Sequence, residues 1–227
     1  MRSQTKRLFF KLSCIALLFS LTSCFDIIEE INVNNDGSGT MTLTVNLSKS
    51  KTKLASIMLL DSINGHKVPT EADVNHALSE AVSYLKESDG LSNIQKKVDF
   101  DNFIFSLSCD FKHVKNVNLV IQELTNKLKV KPFTTSFTYS NTSKTFNRAN
   151  TFNTSAQEKY GKLERDDKEV FDNAFYTCIY RFGSEVKTFS NDKAKLSKSK
   201  KAIMLKCSAI DVINGNTSLS NKIELAE

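Results

Sequence analysis

The chain has 227 residues, with 31 Lys and Arg against 25 Asp and Glu, no Trp, two Pro and 16 Phe, and a formal charge of +6. Four of the basic residues (Arg2, Lys6, Arg7 and Lys11) lie at the very start with no acid beside them, so the remainder carries 27 basic residues against 25 acids, a formal +2. That balance excludes a dedicated nucleic-acid binder, whose basic footprint would persist along the rest of the chain.

The four basic residues form an n-region, and Leu12 to Leu21 (LSCIALLFSL) supplies an apolar h-region. The run falls far short of the roughly 20 apolar residues that a membrane span requires, and no later stretch approaches that length. A charged start, a short apolar run and small residues at its end describe a secretory signal peptide. The run closes in Leu21-Thr22-Ser23-Cys24, which resembles the lipobox of bacterial lipoproteins. The resemblance implies that residues 1–23 are a lipoprotein signal peptide, that the Cys24 thiol receives a diacylglyceryl group, and that the new amino terminus is acylated by a fatty acid such as palmitate. Each buried methylene contributes about 0.8 kcal/mol and one chain anchors only marginally, so several chains make the attachment stable. Residues 24–227 are then expected to form a single envelope-facing domain, lipid-anchored at its first residue in the cell membrane or outer membrane and lying outside the cytoplasm.

Beyond Cys24, Ile27, Glu29, Ile31 and Val33 alternate with Ile28, Glu30 and Asn32. After Asp36-Gly37-Ser38-Gly39 the alternation resumes, with Met41, Leu43, Val45 and Leu47 on one face and Thr40, Thr42, Thr44 and Asn46 on the other. Alternation of period two on both sides of an Asp-Gly turn predicts a β-hairpin. Almost no tether separates it from Cys24, which places the domain close to the bilayer.

Leu54, Ile57 and Met58 suggest a short helix from about Ser50 to Leu60, and Asn64-Gly65 and Pro69 then break the chain. Thr70 with Asp73 resembles a capping box, and Val74, Ala77, Leu78, Ala81 and Leu85 follow at helical spacing up to Asp89-Gly90. Residues 91 to 111 read as two strands about an Asp101-Asn102 turn, the second with Phe103, Phe105, Leu107, Cys109 and Phe111 alternating. Val117, Ile121, Leu124 and Leu128 line a helix that ends before Pro132. Phe133, Thr135, Phe137 and Tyr139 are strand-like, and the Asn/Thr/Ser-rich stretch from Ser140 to Thr154 reads as an excursion or a polar strand pair. A charged helical patch from Lys159 to Phe171 leads into a strand from Phe175 to Phe182, and shorter strands follow near Glu185 to Phe189, Ile203 to Ser208 and Ser220 to Leu225. This order predicts an α+β fold: an antiparallel β-sheet opening with a β-hairpin, with helices packed on one face.

The DGSG turn from Asp36 to Gly39 between two alternating strands, together with Tyr176-Thr177-Cys178-Ile179-Tyr180-Arg181-Phe182, Val186 and Ser190-Asn191, resembles the LppM-type lipoprotein domain. That resemblance implies an α+β domain, in some members likened to lipid-binding folds, and it implies no catalytic residues.

Candidate chemistry is sparse. Asn32 to Gly37 does not fit a calcium loop, because Asn32 and Leu43 hold the places where an EF-hand needs Asp and Glu. Gly37-Ser38-Gly39 is neither a nucleophile elbow nor a phosphate loop. Cys109 and His113 lie four apart on a strand and do not stack as they would on a helix. His66 and His76 lack ligand partners at metal spacing. Asp26, Glu29 and Glu30 read as solvated acids at the start of an exposed strand. Lys193, Lys195, Lys198, Lys200 and Lys201 read as a solvated loop, the competing role being contact with anionic head groups. Cys109, Cys178 and Cys207 lie in apolar runs as small buried hydrophobes, and one disulfide among the three stays open. The phenylalanine rows fill a core or line an apolar cavity, and the core is the simpler reading. The expectation is a non-catalytic structural or interaction module of the cell envelope, with a carrier or sensor of a lipid or other apolar ligand as the alternative. No catalytic residue, cofactor or metal is expected. The partners expected are the membrane through the lipid on Cys24 and either an envelope protein or an apolar ligand, with no nucleic acid and the oligomeric state left open.

Overall fold

The computed structural model describes residues 25–63, 65–127, 133–152 and 154–227. The proposed leader 1–23, Cys24, Asn64, Leu128 and Pro132 lie outside the described residues.

Among the described residues the strands, in chain order, are β1 (Asp26–Val33), β2 (Gly39–Asn46), β3 (Ser62–Ile63), β4 (His66–Lys67), β5 (Leu91–Asp99), β6 (Ile104–Phe111), β7 (Phe133–Ser140), β8 (Thr145–Phe152), β9 (Phe175–Phe182), β10 (Val186–Phe189), β11 (Lys195–Leu196), β12 (Ala202–Ser208) and β13 (Asn221–Leu225). The α-helices are α1 (Lys51–Ile57), α2 (Glu71–Lys86), α3 (Val117–Lys127), α4 (Thr154–Gly161), α5 (Arg165–Glu169) and α6 (Ala209–Ile213). A seven-stranded sheet has the order β11-β12-β9-β1-β2-β6-β5, a four-stranded sheet has the order β10-β13-β8-β7, and β3 and β4 form a small hairpin. The α+β class expected from the sequence is met. Two details differ from a simple antiparallel sheet with helices on one side. The pair β1/β9 runs parallel, since β9 returns to the strand that opens the chain, and a second sheet shares the covering of the large one.

The opening hairpin forms as the alternation requires. β1 pairs antiparallel with β2, Ile31 opposite Met41 and Val33 opposite Gly39. The turn closes through Asn34 N–H to the Ser38 carbonyl at 2.8 Å and Gly37 N–H to the Asn34 carbonyl at 2.9 Å. Gly37 takes φ +86°, the left-handed region that glycine enters without steric cost.

One face of the large sheet collects Glu29, Ile31 and Val33 from β1, Met41 from β2, Leu107, Cys109 and Phe111 from β6, Cys178, Tyr180 and Phe182 from β9, and Ile203, Leu205 and Cys207 from β12, all buried. Phe137, Phe146, Ile223 and Leu225 of the four-stranded sheet join the same buried cluster, as do Leu85 of α2 and Val117 and Val120 of α3. Rings of the two sheets meet directly: Phe146 lies 4.9 Å from Tyr180 and 5.5 Å from Phe182 between centroids, and Phe137 lies 6.5 Å from Tyr180. The phenylalanine rows therefore pack as core.

The start of α2 matches the sequence reading. Thr70 Oγ1 accepts from Asp73 N–H at 3.1 Å and Asp73 Oδ2 accepts from Thr70 N–H at 2.9 Å, which satisfies two helix-end donors. The polar stretch from Ser140 to Thr154 resolves as the turn of a β7–β8 hairpin and the whole of β8. Asn118 of α3 donates its side-chain amide to the Phe137 carbonyl at 3.2 Å and accepts from Phe137 N–H at 2.7 Å, covering the free edge of β7 as a neighbouring strand would.

Gly39 of β2 lies between its register partners Val33 of β1 and Phe111 of β6. A Cβ there would collide with the Asn32 carbonyl oxygen and approach the Phe111 ring to 2.8 Å. Gly39→Ala is expected to lower stability by about 3 kcal/mol or more, because one of the clashing atoms is backbone and has no rotamer to escape into. Urea denaturation of the variant beside the parent chain measures this.

Candidate functional site

Each candidate from the sequence has a definite place in the fold. Cys24, proposed to carry the lipid, lies outside the described residues, immediately before Phe25. The Phe25 carbonyl accepts from Phe175 N–H at 3.0 Å and its ring meets Phe171 edge-on at 5.5 Å, so the chain is fixed to the domain one residue after Cys24. His66 is exposed on β4, and exposed His76 approaches Glu80 to 4.0 Å. His113 heads a short 3₁₀ turn, its N–H bonded to Asn116 Oδ1 at 2.9 Å, away from Cys109. Cys109, Cys178 and Cys207 are free, buried thiols. No group of three or more His, Cys, Asp or Glu suited to a metal ion occurs among the described residues.

The three acids of β1 have different fates. Asp26 pairs with Lys49 at 3.1 Å, and Glu30 pairs with Arg181 at 2.8 Å on an accessible face. Glu29 does not belong with solvated acids. It is 0% exposed, placed on the inner face of β1 between Ile27 and Ile31 by the strand's own alternation. Its partner is Arg148 of β8, which is 2% exposed and donates from Nη1 to Glu29 Oε1 at 3.0 Å. Tyr180 donates to the same oxygen at 2.8 Å, and Tyr176 donates to Oε2 at 2.8 Å. Arg148 Nη1 also reaches Tyr180 Oη at 2.8 Å and the Cys178 sulfur, and its guanidinium lies 5.4 Å from the Phe137 ring centre and 5.6 Å from that of Tyr176.

The protonation states follow from this geometry. Burial opposes the Arg148 charge, but the acidic groups around it hold its pKa well above the ordinary value. Glu29 is the partner that matters at neutral pH, because burial pushes the Cys178 thiol up to about 12 and leaves it uncharged there. Burial, followed by the Glu29 charge, raises Tyr176 well above the ordinary phenol; burial likewise raises Tyr180, with Cys178 and Glu29 adding to it. Both tyrosines are therefore neutral donors to a carboxylate. The constellation resembles acid–base machinery in composition, yet Glu29, Arg148, Cys178 and Tyr180 are buried between the sheets.

Arg148 was not singled out by the sequence because its surroundings, Asn147, Ala149 and Asn150, look like a polar loop. The available signal was Glu29 itself, an acid on the apolar face of an alternating strand, which requires a buried cation somewhere in the chain.

An accessible concavity lies at the other end of β1. It measures about 330 Å³ and is lined by Asp36, Gly37, His113, Val114, Lys115, Thr138, Tyr139 and Asn141. Three loops are tied together to form it. Asn141 Nδ2 donates to the Asp36 carbonyl at 3.1 Å, Val114 N–H donates to the Gly37 carbonyl at 3.0 Å, and a Cβ on Gly37 would touch the Tyr139 ring at 3.0 Å. The Asp36 carboxylate accepts the hydroxyl and N–H of Ser38, which lowers its pKa, so it serves its own turn. Burial raises the Tyr139 phenol, with the Asp36 charge adding to the shift. An aromatic wall with the ammonium of Lys115 and the amide of Asn141 can bind by stacking and hydrogen bonding. Lys200 and Lys201 of the basic run lie at this same end: Phe182 N–H bonds the Lys201 carbonyl at 2.9 Å and Val186 N–H bonds the Lys200 carbonyl at 2.7 Å, both at the far end of β9 from Phe175, whereas Lys195 pairs with Met204 in mid-strand.

No family model and no curated protein sequence matches the chain. Among solved structures, the chain is similar to the NMR structure of the Mycobacterium tuberculosis LppM folded domain, with a TM-score of 0.42 and 10% sequence identity over 88% of each chain. No residue role is carried over from it.

Two predictions follow from the buried cluster. Arg148→Met leaves Glu29 as an uncompensated buried charge and is expected to cost about 3–5 kcal/mol, whereas Glu29→Leu combined with Arg148→Met is expected to be closer to the parent than either single variant. A double-mutant cycle in urea measures the coupling. Stability is also expected to fall in alkali. Burial holds Cys109 at about 11 and Cys178 at about 12, against 9.0 for an ordinary thiol. The folded chain therefore keeps protons that the unfolded chain releases. This stabilisation is complete below the ordinary thiol value and is lost as pH rises above it, at about 1.4 kcal/mol per pH unit per thiol. Urea midpoints between about pH 8 and pH 10 measure the slope, and Cys109→Ala should make it shallower.

Proposed function

We propose that the chain is a lipid-anchored, non-catalytic protein of the bacterial cell envelope that holds a partner at the end of the domain remote from its lipid. The observation that carries this reading is the separation of chemistry from access. Among the described residues, a constellation with the composition of a reactive site, Glu29 with Arg148, Tyr176, Cys178 and Tyr180, is enclosed between two sheets, while the open concavity is built from a turn, a loop and a hairpin tip that bear no nucleophile–base pair. The lipobox-like Leu21-Thr22-Ser23-Cys24 supplies the address. β1 then spans eight residues, about 26 Å at 3.3 Å per residue, from the anchored end to the DGSG turn that lines the concavity.

A carrier of lipid or another apolar molecule would require the phenylalanine rows to line a cavity. Phe137 and Phe146 are instead 0% exposed, with ring centres 6.1 Å apart and further rings of Tyr180 and Phe182 against them. The interaction reading therefore has the better physical support.

Radioactive palmitate is expected to label the parent chain, and Cys24→Ala is expected to lose both the label and the membrane association while keeping the fold. Equal labelling of the variant would refute the anchor. A photo-cross-linking residue in place of Lys115 is expected to give an adduct in intact envelopes that disappears in the unanchored variant. An adduct obtained equally without the anchor would separate the interaction from the address.

A further inference from the structure

Among the described residues, Leu59 is 87% exposed, Leu60 50% and Ile63 39%, so three large exposed hydrophobics fall within five positions. They follow α1, which has no buried residue at all. Leu54, Ile57 and Met58 are only half-buried, and Lys51 and Lys53 are exposed on the same short helix. A helix of seven residues is marginal on its own and depends on an apolar face packed against something. Here the protein supplies little of that cover, and an apolar cluster exposed in this way marks a contact surface.

Its place in the fold says what covers it. β2 ends at Asn46, the register partner of Asp26, two residues after Cys24. From there Leu47 N–H bonds the Phe103 carbonyl at 2.9 Å, Ser48 N–H bonds Asn46 Oδ1 at 3.0 Å, and Lys49 pairs with Asp26 at 3.1 Å, so the root of α1 is fastened to the start of β1. The helix adds about 10 Å at 1.5 Å per residue. The segment from residue 49 to residue 63 carries Lys49, Lys51 and Lys53 against a single acid, Asp61, which suits an anionic lipid surface. The lysines at positions 198, 200 and 201 are at the opposite end of the sheet and do not share this surface.

We propose that the segment from Lys51 to Ile63 is a second membrane contact. Leu59, Leu60 and Ile63 enter the interfacial region of the bilayer that holds the lipid on Cys24, and Lys51 and Lys53 face its anionic head groups. This rests on the anchored reading above and adds an orientation to it. With only Phe25 between the lipid and β1, two contacts at one pole fix the domain with its concavity turned away from the bilayer. Neither contact is a span: among the described residues no helix is long and apolar enough to cross a membrane.

The test uses the full chain reconstituted into vesicles of phosphatidylethanolamine and phosphatidylglycerol, with Ser62→Cys labelled by a polarity-sensitive fluorophore. Ser62 is exposed beside the apolar cluster, and labelling leaves Leu59 and Leu60 in place. The native thiols at 109, 178 and 207 are buried and stay unlabelled in the folded chain. The expected result is blue-shifted emission that nitroxide-bearing lipids quench, while the same label on Lys115→Cys keeps its aqueous emission. A chain that floats with the vesicles but shows aqueous, unquenched emission at position 62 overturns the second contact and leaves the anchor standing. Blue-shifted emission without lipid quenching overturns it in favour of a protein neighbour, and a chain that does not float overturns both readings. Leu59→Asn with Leu60→Asn is expected to keep flotation while trypsin cleavage at Lys51 and Lys53 rises several-fold; unchanged cleavage overturns the proposal.

Discussion

Two sheets meet over a charge pair that water hardly touches, and most of the fold is constrained by the need to keep that pair satisfied. Removing a carboxylate and a guanidinium from water costs several kcal/mol for each ion, which their mutual attraction offsets only when the remaining polar atoms also find partners. Tyr176 and Tyr180 provide them on the carboxylate side; on the other side Arg148 donates from Nη1, its Nε has no hydrogen-bond partner, and the rings of Phe137 and Tyr176 flank the guanidinium. Each group comes from a different part of the chain. Glu29 is on β1, Arg148 is 119 residues later on β8, and the tyrosines are on β9. The contact between the two charges therefore forms only when the parallel pairing of β1 with β9 and the face-to-face packing of the sheets have both formed.

That dependence also fixes register. Glu29 has Leu43 and Cys178 as its strand partners and shares its face with Ile31 and Val33. A slip of one residue along β1 would carry Glu30 inward, leave Arg148 without its carboxylate, and turn Ile31 to water. Apolar packing alone would penalise such a slip. A buried charge that loses its partner penalises it far more steeply. The arrangement functions as a lock between sheets, and the raised values of the two tyrosines and of Cys178 are consequences of the enclosure rather than signs of catalysis.

Much of the fold was legible because short-range rules dictate it. Alternation about Asp36-Gly37 identifies the opening hairpin, Thr70 and Asp73 identify the start of α2, and the rows from Phe103 to Phe111 and from Phe175 to Phe182 identify β6 and β9. What was illegible depends on long-range pairing. Nothing local announces that β9 lies parallel to β1, or that the Asn/Thr-rich strand β8 turns Phe146 and Arg148 into the core while Asn147 and Ala149 point elsewhere. Glu29 was grouped with Asp26 and Glu30 because the three are neighbours in sequence, although the alternation already placed Glu29 among isoleucines. Of the candidate site, the DGSG turn was visible as a turn. Its union with His113, Lys115, Tyr139 and Asn141 required the third dimension.

β1 ties these features into one mechanical argument. The same eight residues begin two residues after the proposed lipid site at Cys24, with only Phe25 between, contribute Glu29 to the lock at mid-strand, and end at the turn that lines the concavity. A strand paired on both sides, to β2 and to β9, and pinned by a buried ion pair does not bend between its ends. Whatever fixes the orientation of the Asp26 end therefore fixes that of the concavity as well. A long flexible stalk would let the concavity sample all directions; under the proposed anchoring at Cys24, a single-residue tether joined to a rigid strand would hold it at a set height and attitude. The expensive burial of Glu29 and Arg148 is in this sense positional: it makes the path along β1 from Asp26 to the turn at the concavity stiff.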